Sequence, residues 1–146
     1  MSTLFDISGK RAIVTGAAAG LAYGMAEGLM ENGAEVTIVD ISSKTQTVAQ
    51  EFANRGFKCH GIIADLGDFQ ALEAAFYESV RLMNGLDIIV NAAGVQKRHK
   101  SEEFPMEDWE FVININLTAV FRLCQLAARH FMENGGGKII NIASML

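Results

Sequence analysis

Four short stretches of the chain carry residues suited to holding a phosphorylated nucleotide. The first is Thr15-Gly16-Ala17-Ala18-Ala19-Gly20-Leu21-Ala22. Glycine and alanine let a backbone turn sharply and come close to a ligand. A helix opening at the end of such a turn offers unpaired N–H groups and a positive dipole end to a pyrophosphate. A tight turn packed on small residues has the same composition, so this run alone is a weak signal. The second stretch is Asp40, 24 positions after Gly16 and at the end of an apolar run. In a dinucleotide fold that place faces the adenosine ribose, where a carboxylate accepts hydrogen bonds from both hydroxyls and repels a 2′-phosphate. Ile41 and Ala17 to Ala19 bring no cation to such a phosphate, so the pattern favours NAD over NADP. A helix N-cap is the other use for Asp40, one that Ser42 or Ser43 could equally serve.

Asp65-Leu66 and Asn91-Ala92-Ala93-Gly94 follow two further apolar runs. Asp65 could accept from an adenine amino group, or cap the helix that begins near Asp68. The small residues after Asn91 allow another close approach to a cofactor, while Asn91 itself could bond a neighbouring strand end. Beyond them lies Val95-Gln96-Lys97-Arg98-His99-Lys100, a basic loop in a chain of net charge −5. Arg98 could hold a substrate carboxylate, with Gln96 or His99 reading hydroxyls. A solvated charged loop is the plain alternative.

The elements that must position these residues alternate regularly. Strands are expected at Arg11–Thr15, Glu35–Asp40, 59–64, 86–90 and 138–143. Helices are expected over 20–32, 43–55 and 68–84, each stopped by a glycine (Gly33, Gly56, Gly85), and a long one over Met106–Glu133 after Pro105. Continuous apolar strands separated by helices call for a parallel sheet covered on both faces. Right-handed crossovers then give a doubly wound α/β sheet of the Rossmann type, with five strands in the order 3-2-1-4-5. The sheet edge at Ile139-Ile140-Asn141-Ile142 is an open pairing template, which suggests that more chain or a partner belongs there.

Composition sets bounds on the rest. The 146 residues are 50% hydrophobic and 20% charged, as in one soluble domain. The mild negative charge argues against non-specific binding to nucleic acid or anionic membrane. No run approaches the roughly 20 uninterrupted apolar residues of a membrane span. The start of the chain lacks the layout of a secretory signal. Cys59 and Cys124 stand far apart in no CxxC pair, which fits a reducing, cytoplasmic setting. His60, His99 and His130 have no metal-ligand spacing, so no structural metal is expected.

Taken in order, Thr15 to Ala22, Asp40, Asp65-Leu66 and Asn91 to Gly94 resemble the short-chain dehydrogenase/reductase family, whose pattern is TGxxxGxG, a later acid, D-[VL] and NNAG. Ala22 and Ala92 depart from it by replacing a glycine and an asparagine. The resemblance implies cofactor contacts at Gly16, Ala19, Gly20, Leu21, Asp40, Ile41, Asp65, Leu66, Asn91, Ala92, Ala93 and Gly94. It also implies that Asn116, on the long helix, holds a water in a proton relay, that Asn114 stabilises the fold, and that Ser144 bonds the substrate oxygen. The family's acid/base pair, a tyrosine with a lysine four residues on, has no counterpart, since Tyr23 and Tyr77 are the only tyrosines. The chain is therefore expected to be the amino-terminal half of such an enzyme, a domain of residues 1–146 ending after the fifth strand and inactive alone. Gln96 to His99, Glu103-Phe104, Asp108-Trp109 and Lys138 to Leu146 resemble the sugar-acid branch, the gluconate 5-dehydrogenases and 2-deoxy-D-gluconate 3-dehydrogenases. That implies a small anionic sugar-acid substrate, oxidised at a secondary alcohol, and a homotetrameric parent. The alternative is a non-catalytic module that uses NAD as a structural or sensory ligand.

Overall fold

The computed structural model describes residues 5–144. The two ends of the expected domain, residues 1–4 and 145–146, lie outside the described residues. Five parallel strands form one sheet: β1 (Arg11–Thr15), β2 (Glu35–Asp40), β3 (Cys59–Ile63), β4 (Ile88–Asn91) and β5 (Lys138–Asn141), in the order β3-β2-β1-β4-β5. Each falls on the apolar run expected, with β3 one residue and β5 two residues shorter at the end and β4 shifted to start after Asp87. Between them lie α1 (Gly20–Glu31), α2 (Thr45–Asn54), α3 (Phe69–Met83) and, before β5, α4 (Met106–Ile113) and α5 (Val120–Glu133). α4 and α5 are joined by a π-helical segment at Asn114–Ala119, so the expected long helix is continuous but locally widened.

Side-chain alternation along the strands divides the core in two. Ala12 and Val14 of β1 face the α1 and α2 side, packing with Val36, Ile38, Ala26, Met30 and Phe52. Ile13 faces the other side, with Val39, Ile89, Leu72, Phe76, Leu123 and Phe131. Burial on both faces is what makes these strands apolar throughout rather than alternating. By length and composition the Met106–Glu133 helix is apolar enough to cross a membrane, although polar residues interrupt its apolar runs. In the fold its Ile115, Ala119, Leu123, Leu126, Ala127 and Phe131 are buried in the domain.

The helix ends follow local chemistry. Asp68 caps α3, its Oδ1 accepting from the N–H groups of Gln70 at 2.9 Å and Ala71 at 3.3 Å. Asn84 ends the same helix in the left-handed region, at φ 54°. β1 and β4 are tied at their bases, where Asp87 Oδ2 accepts from Arg11 Nε at 2.8 Å and from its backbone N–H at 2.9 Å. Arg11 thereby holds the Asp87 carboxyl below the ordinary carboxylate value of 3.8. β5 is the outer strand, and its side chains are exposed.

Candidate functional site

The strand order reverses between β1 and β4, and the carboxyl ends of those strands open into a crevice, the usual ligand position in a doubly wound sheet. Thr15 ties the two ends together, its Oγ1 accepting from the N–H groups of Ala92 at 3.0 Å and Ala93 at 3.1 Å. Gly16 turns the chain away at φ +72°, where a Cβ would stand 2.8 Å from the Ala93 Cα. The turn and the β4 end therefore touch, and only a glycine fits between them.

At the end of the turn Ala19 is the N-cap of α1, with no side-chain cap and no acidic residue in the first turn. The N–H groups opening this helix are left for another acceptor. Gly20 begins α1 at φ +65°, with open space where a Cβ would stand, and Leu21 after it is 81% exposed. An uncapped helix start beside an open backbone fits a pyrophosphate.

Two clefts meet over this crevice and share Ala92, Ala93, Gly94 and Val95. The smaller, about 320 Å³, is lined by Gly16, Asp40, Ile41, Asp65 and Leu66 among others. Asp40 is not a helix cap there, because Lys44 holds the N-cap position of α2. Its Oδ2 accepts from Ala18 N–H at 3.0 Å and its Oδ1 from Ser42 N–H at 2.9 Å. Asp65 does not cap α3 either; its Oδ1 accepts from Gly67 N–H at 2.8 Å. Both carboxylates line this cleft and keep acceptor capacity, since a carboxylate has about four acceptor positions.

The larger cleft, about 880 Å³, is lined by Leu21, Gln96, Arg98, Asn116 and Ser144, together with Lys97, Phe104 and Trp109. Asn116 fixes its floor. The Oδ1 accepts from Val95 N–H and the Nδ2 donates to Val95 C=O, both at 2.8 Å. The side chain expected to hold a water thus also ties down the loop, and its amide keeps one donor and one acceptor position beyond these two bonds. Asn114 does the same on the other side, its Nδ2 donating to Gly67 C=O at 3.0 Å, beside Asp65. Two asparagines in one π-helical segment thus hold the two loops that border the crevice, which accounts for poor helix formers in mid-helix.

Two expected contacts stand apart. Asn91, placed among the cofactor residues, is 2% exposed and lines neither cleft. Its Nδ2 donates to Asn141 Oδ1 at 2.8 Å, because the two residues are in register across β4 and β5. The strand-end alternative describes it. His99, grouped with Gln96 and Arg98 as a substrate reader, is also absent from the cleft wall. Its Nε2 lies 2.7 Å from Asp108 Oδ2, and Lys97 Nζ lies 3.2 Å from Asp108 Oδ1. The His99 hydrogen bond, reinforced by Lys97, holds the Asp108 carboxyl below its ordinary value. Sequence reading gave no role to Asp108 or Thr15 beyond their place in a pattern, for neither partner set is local.

Comparison with known proteins agrees with this geometry. The profile of the family described as short chain dehydrogenase matches residues 10–146. The 2-dehydro-3-deoxy-D-gluconate 5-dehydrogenase of Escherichia coli (strain K12) is 41% identical over 143 residues, covering 97% of this chain and 56% of that protein. The gluconate 5-dehydrogenase of Gluconobacter oxydans (strain 621H) is 38% identical, with 97% and 56% covered. Among solved structures, a gluconate 5-dehydrogenase from Burkholderia cenocepacia J2315, in complex with NADP and tartrate, superposes with a TM-score of 0.89 at 37% identity, covering 96% of this chain and 55% of that one. The chain spans about half the length of the curated relatives it matches.

Proposed function

The chain belongs to the short chain dehydrogenase family, and we propose that it is the dinucleotide-binding part of an NAD-dependent oxidoreductase that interconverts a secondary alcohol and a ketone on a sugar acid. One observation carries the reading. Two clefts that share Ala92 to Val95 lie side by side at the β1/β4 switch point, with Asp40 in one and Arg98, Asn116 and Ser144 around the other.

In this reading the opening of α1, at Ala19, Gly20 and Leu21, receives the pyrophosphate. Asp40 accepts from the adenosine ribose, Ile41 and Leu66 pack beside the adenine, and Asp65 accepts from its amino group. Ala92, Ala93 and Gly94 let the dinucleotide pass close to the backbone. Bound nicotinamide supplies the hydride acceptor or donor. The chain's own groups orient the other reactant: Arg98 pairs with a carboxylate, Gln96 reads a hydroxyl, and Ser144 bonds the oxygen of the reacting carbon. The preference for NAD over NADP rests on the Asp40 carboxylate and on the absence of a cation at Ile41 and Ala17 to Ala19. The similarity to gluconate and deoxygluconate dehydrogenases supports the sugar-acid class. Exposed Phe111, Leu117 and Phe121 on the long helix support a multimeric parent. Separated, unpaired cysteines suit a cytoplasmic setting.

Calorimetric titration with NAD and NADP tests the first half of this reading, and D-gluconate added to the NAD-loaded chain tests the second. Tighter binding of NAD and a gluconate signal support it. NAD binding with no response to any sugar acid would instead support a non-catalytic dinucleotide module, and no binding of either dinucleotide would sink both.

A further inference from the structure

The basic loop is held by one carboxylate, and this sorts its cations. Residues 95–100 have no regular structure between β4 and the short 3-10 turn at Ser101–Glu103. Asn116 pins the loop at Val95 through two hydrogen bonds. Asp108, in the first turn of α4, holds it again through Lys97 and His99. A carboxylate is well placed there, since the N-terminal end of a helix favours negative charge. Aromatic contacts complete the clamp. The His99 ring meets Phe104 edge-on at 5.0 Å, Phe104 meets Trp109 at 6.5 Å, and Lys97 Nζ lies 5.6 Å from the Phe111 ring centre. Between the two pins, Gln96, Lys97 and Arg98 line the large cleft, Lys97 with its charge engaged by Asp108, and the Arg98 guanidinium lies 3.1–3.2 Å from the Gln96 amide. No carboxylate pairs with Arg98 among the described residues, whereas Lys97 and His99 share Asp108.

We infer that Asp108 is a positioning residue for substrate specificity: by engaging Lys97 and His99 it fixes the loop so that Arg98, with Gln96, presents the charge that receives an anionic sugar acid. This rests on the sugar-acid reading above and goes beyond it, for Asp108 itself does not line the large cleft.

The sign of one substitution separates positioning from bulk charge. Asp108→Asn removes a negative charge held against Lys97 of the cleft wall, so simple Coulomb attraction would tighten gluconate binding. Loss of positioning weakens it. Trp109 is the chain's only tryptophan and lines this cleft, so its fluorescence reports occupancy there. We expect the Kd for D-gluconate, titrated into the NAD-loaded chain, to rise roughly tenfold in Asp108→Asn, on the scale of one lost charge-assisted hydrogen bond. The Kd for NAD should stay unchanged, and Asp108→Glu should recover part of the gluconate affinity. Unchanged or tighter gluconate binding in Asp108→Asn overturns the inference alone. Parallel losses of NAD and gluconate affinity in both variants, which mean general destabilisation, overturn it as well. No gluconate response from the unaltered chain overturns the sugar-acid reading, and the inference with it.

Discussion

Asp40 and Gly16 shape the same turn by different means, one by accepting hydrogen bonds and one by lacking a side chain, so their substitutions should have separable effects. Asp40 already accepts from Ala18 and Ser42 N–H groups, so it shapes the glycine turn as well as facing the smaller cleft. Removing it as Asp40→Ala should weaken both dinucleotides through the turn, and NAD further through the lost ribose contact. We expect a loss for NAD of tenfold or more, as for a hydrogen bond to a charged group worth roughly 1.5–3 kcal/mol. Calorimetry with NAD and NADP in parallel checks this, and equal losses would remove the ribose assignment. Gly16 and Gly20 share a positive φ but not a neighbourhood. Gly16→Ala adds a collision with the Ala93 backbone to the conformational strain of about 1–2 kcal/mol, whereas Gly20→Ala carries the strain alone. Thermal melts should rank Gly16→Ala clearly below Gly20→Ala; equal melting temperatures would mean that the close approach at Ala93 is relieved at little cost.

Elements place these residues through contacts that join strand ends and loop bases. At the amino-terminal edge, Arg11 and Asp87 connect β1 to β4. The folded state holds Asp87 below its ordinary value through the Arg11 hydrogen bond. The stability from this pair is therefore present above about pH 4, the unfolded carboxylate range, and is lost as pH falls through the lower folded value. Both side chains are partly exposed, 32% and 23%, so solvent screens part of the effect. Denaturant unfolding at pH 6 and pH 3 should show a smaller acid loss in Asp87→Asn than in the unaltered chain. At the opposite edge the π-helical segment gives Asn114 to the Gly67 loop and Asn116 to the Val95 loop. Two asparagines in an apolar helix were legible as unusual. Which loops they hold was not, because those partners lie 47 and 21 positions away.

For the whole molecule, a ligand bridging the β1/β4 crevice should stabilise the domain by mass action. At a hundredfold excess over Kd the gain is about 2.7 kcal/mol, which for a domain of this size raises the melting temperature by roughly 5–10 °C. A thermal-shift series with NAD checks it, and a flat response up to millimolar concentrations would contradict dinucleotide binding in the crevice.

The sequence by itself determined the strand and helix runs, the glycine stops after α1 and α2, the parallel doubly wound sheet and the residues at its carboxyl edge, whereas α3 ends on Asn84 rather than on Gly85. These follow from local rules: side-chain periodicity, backbone freedom at glycine, and burial of both strand faces. The tertiary structure alone decided how the polar side chains are used. It gave Asn91 to Asn141 across a strand register, tied Asn116 to Val95, took His99 away to Asp108, and left Gln96, Lys97 and Arg98 in the large cleft. Such pairings depend on which distant groups arrive within about 3 Å of each other, and periodicity carries no record of that.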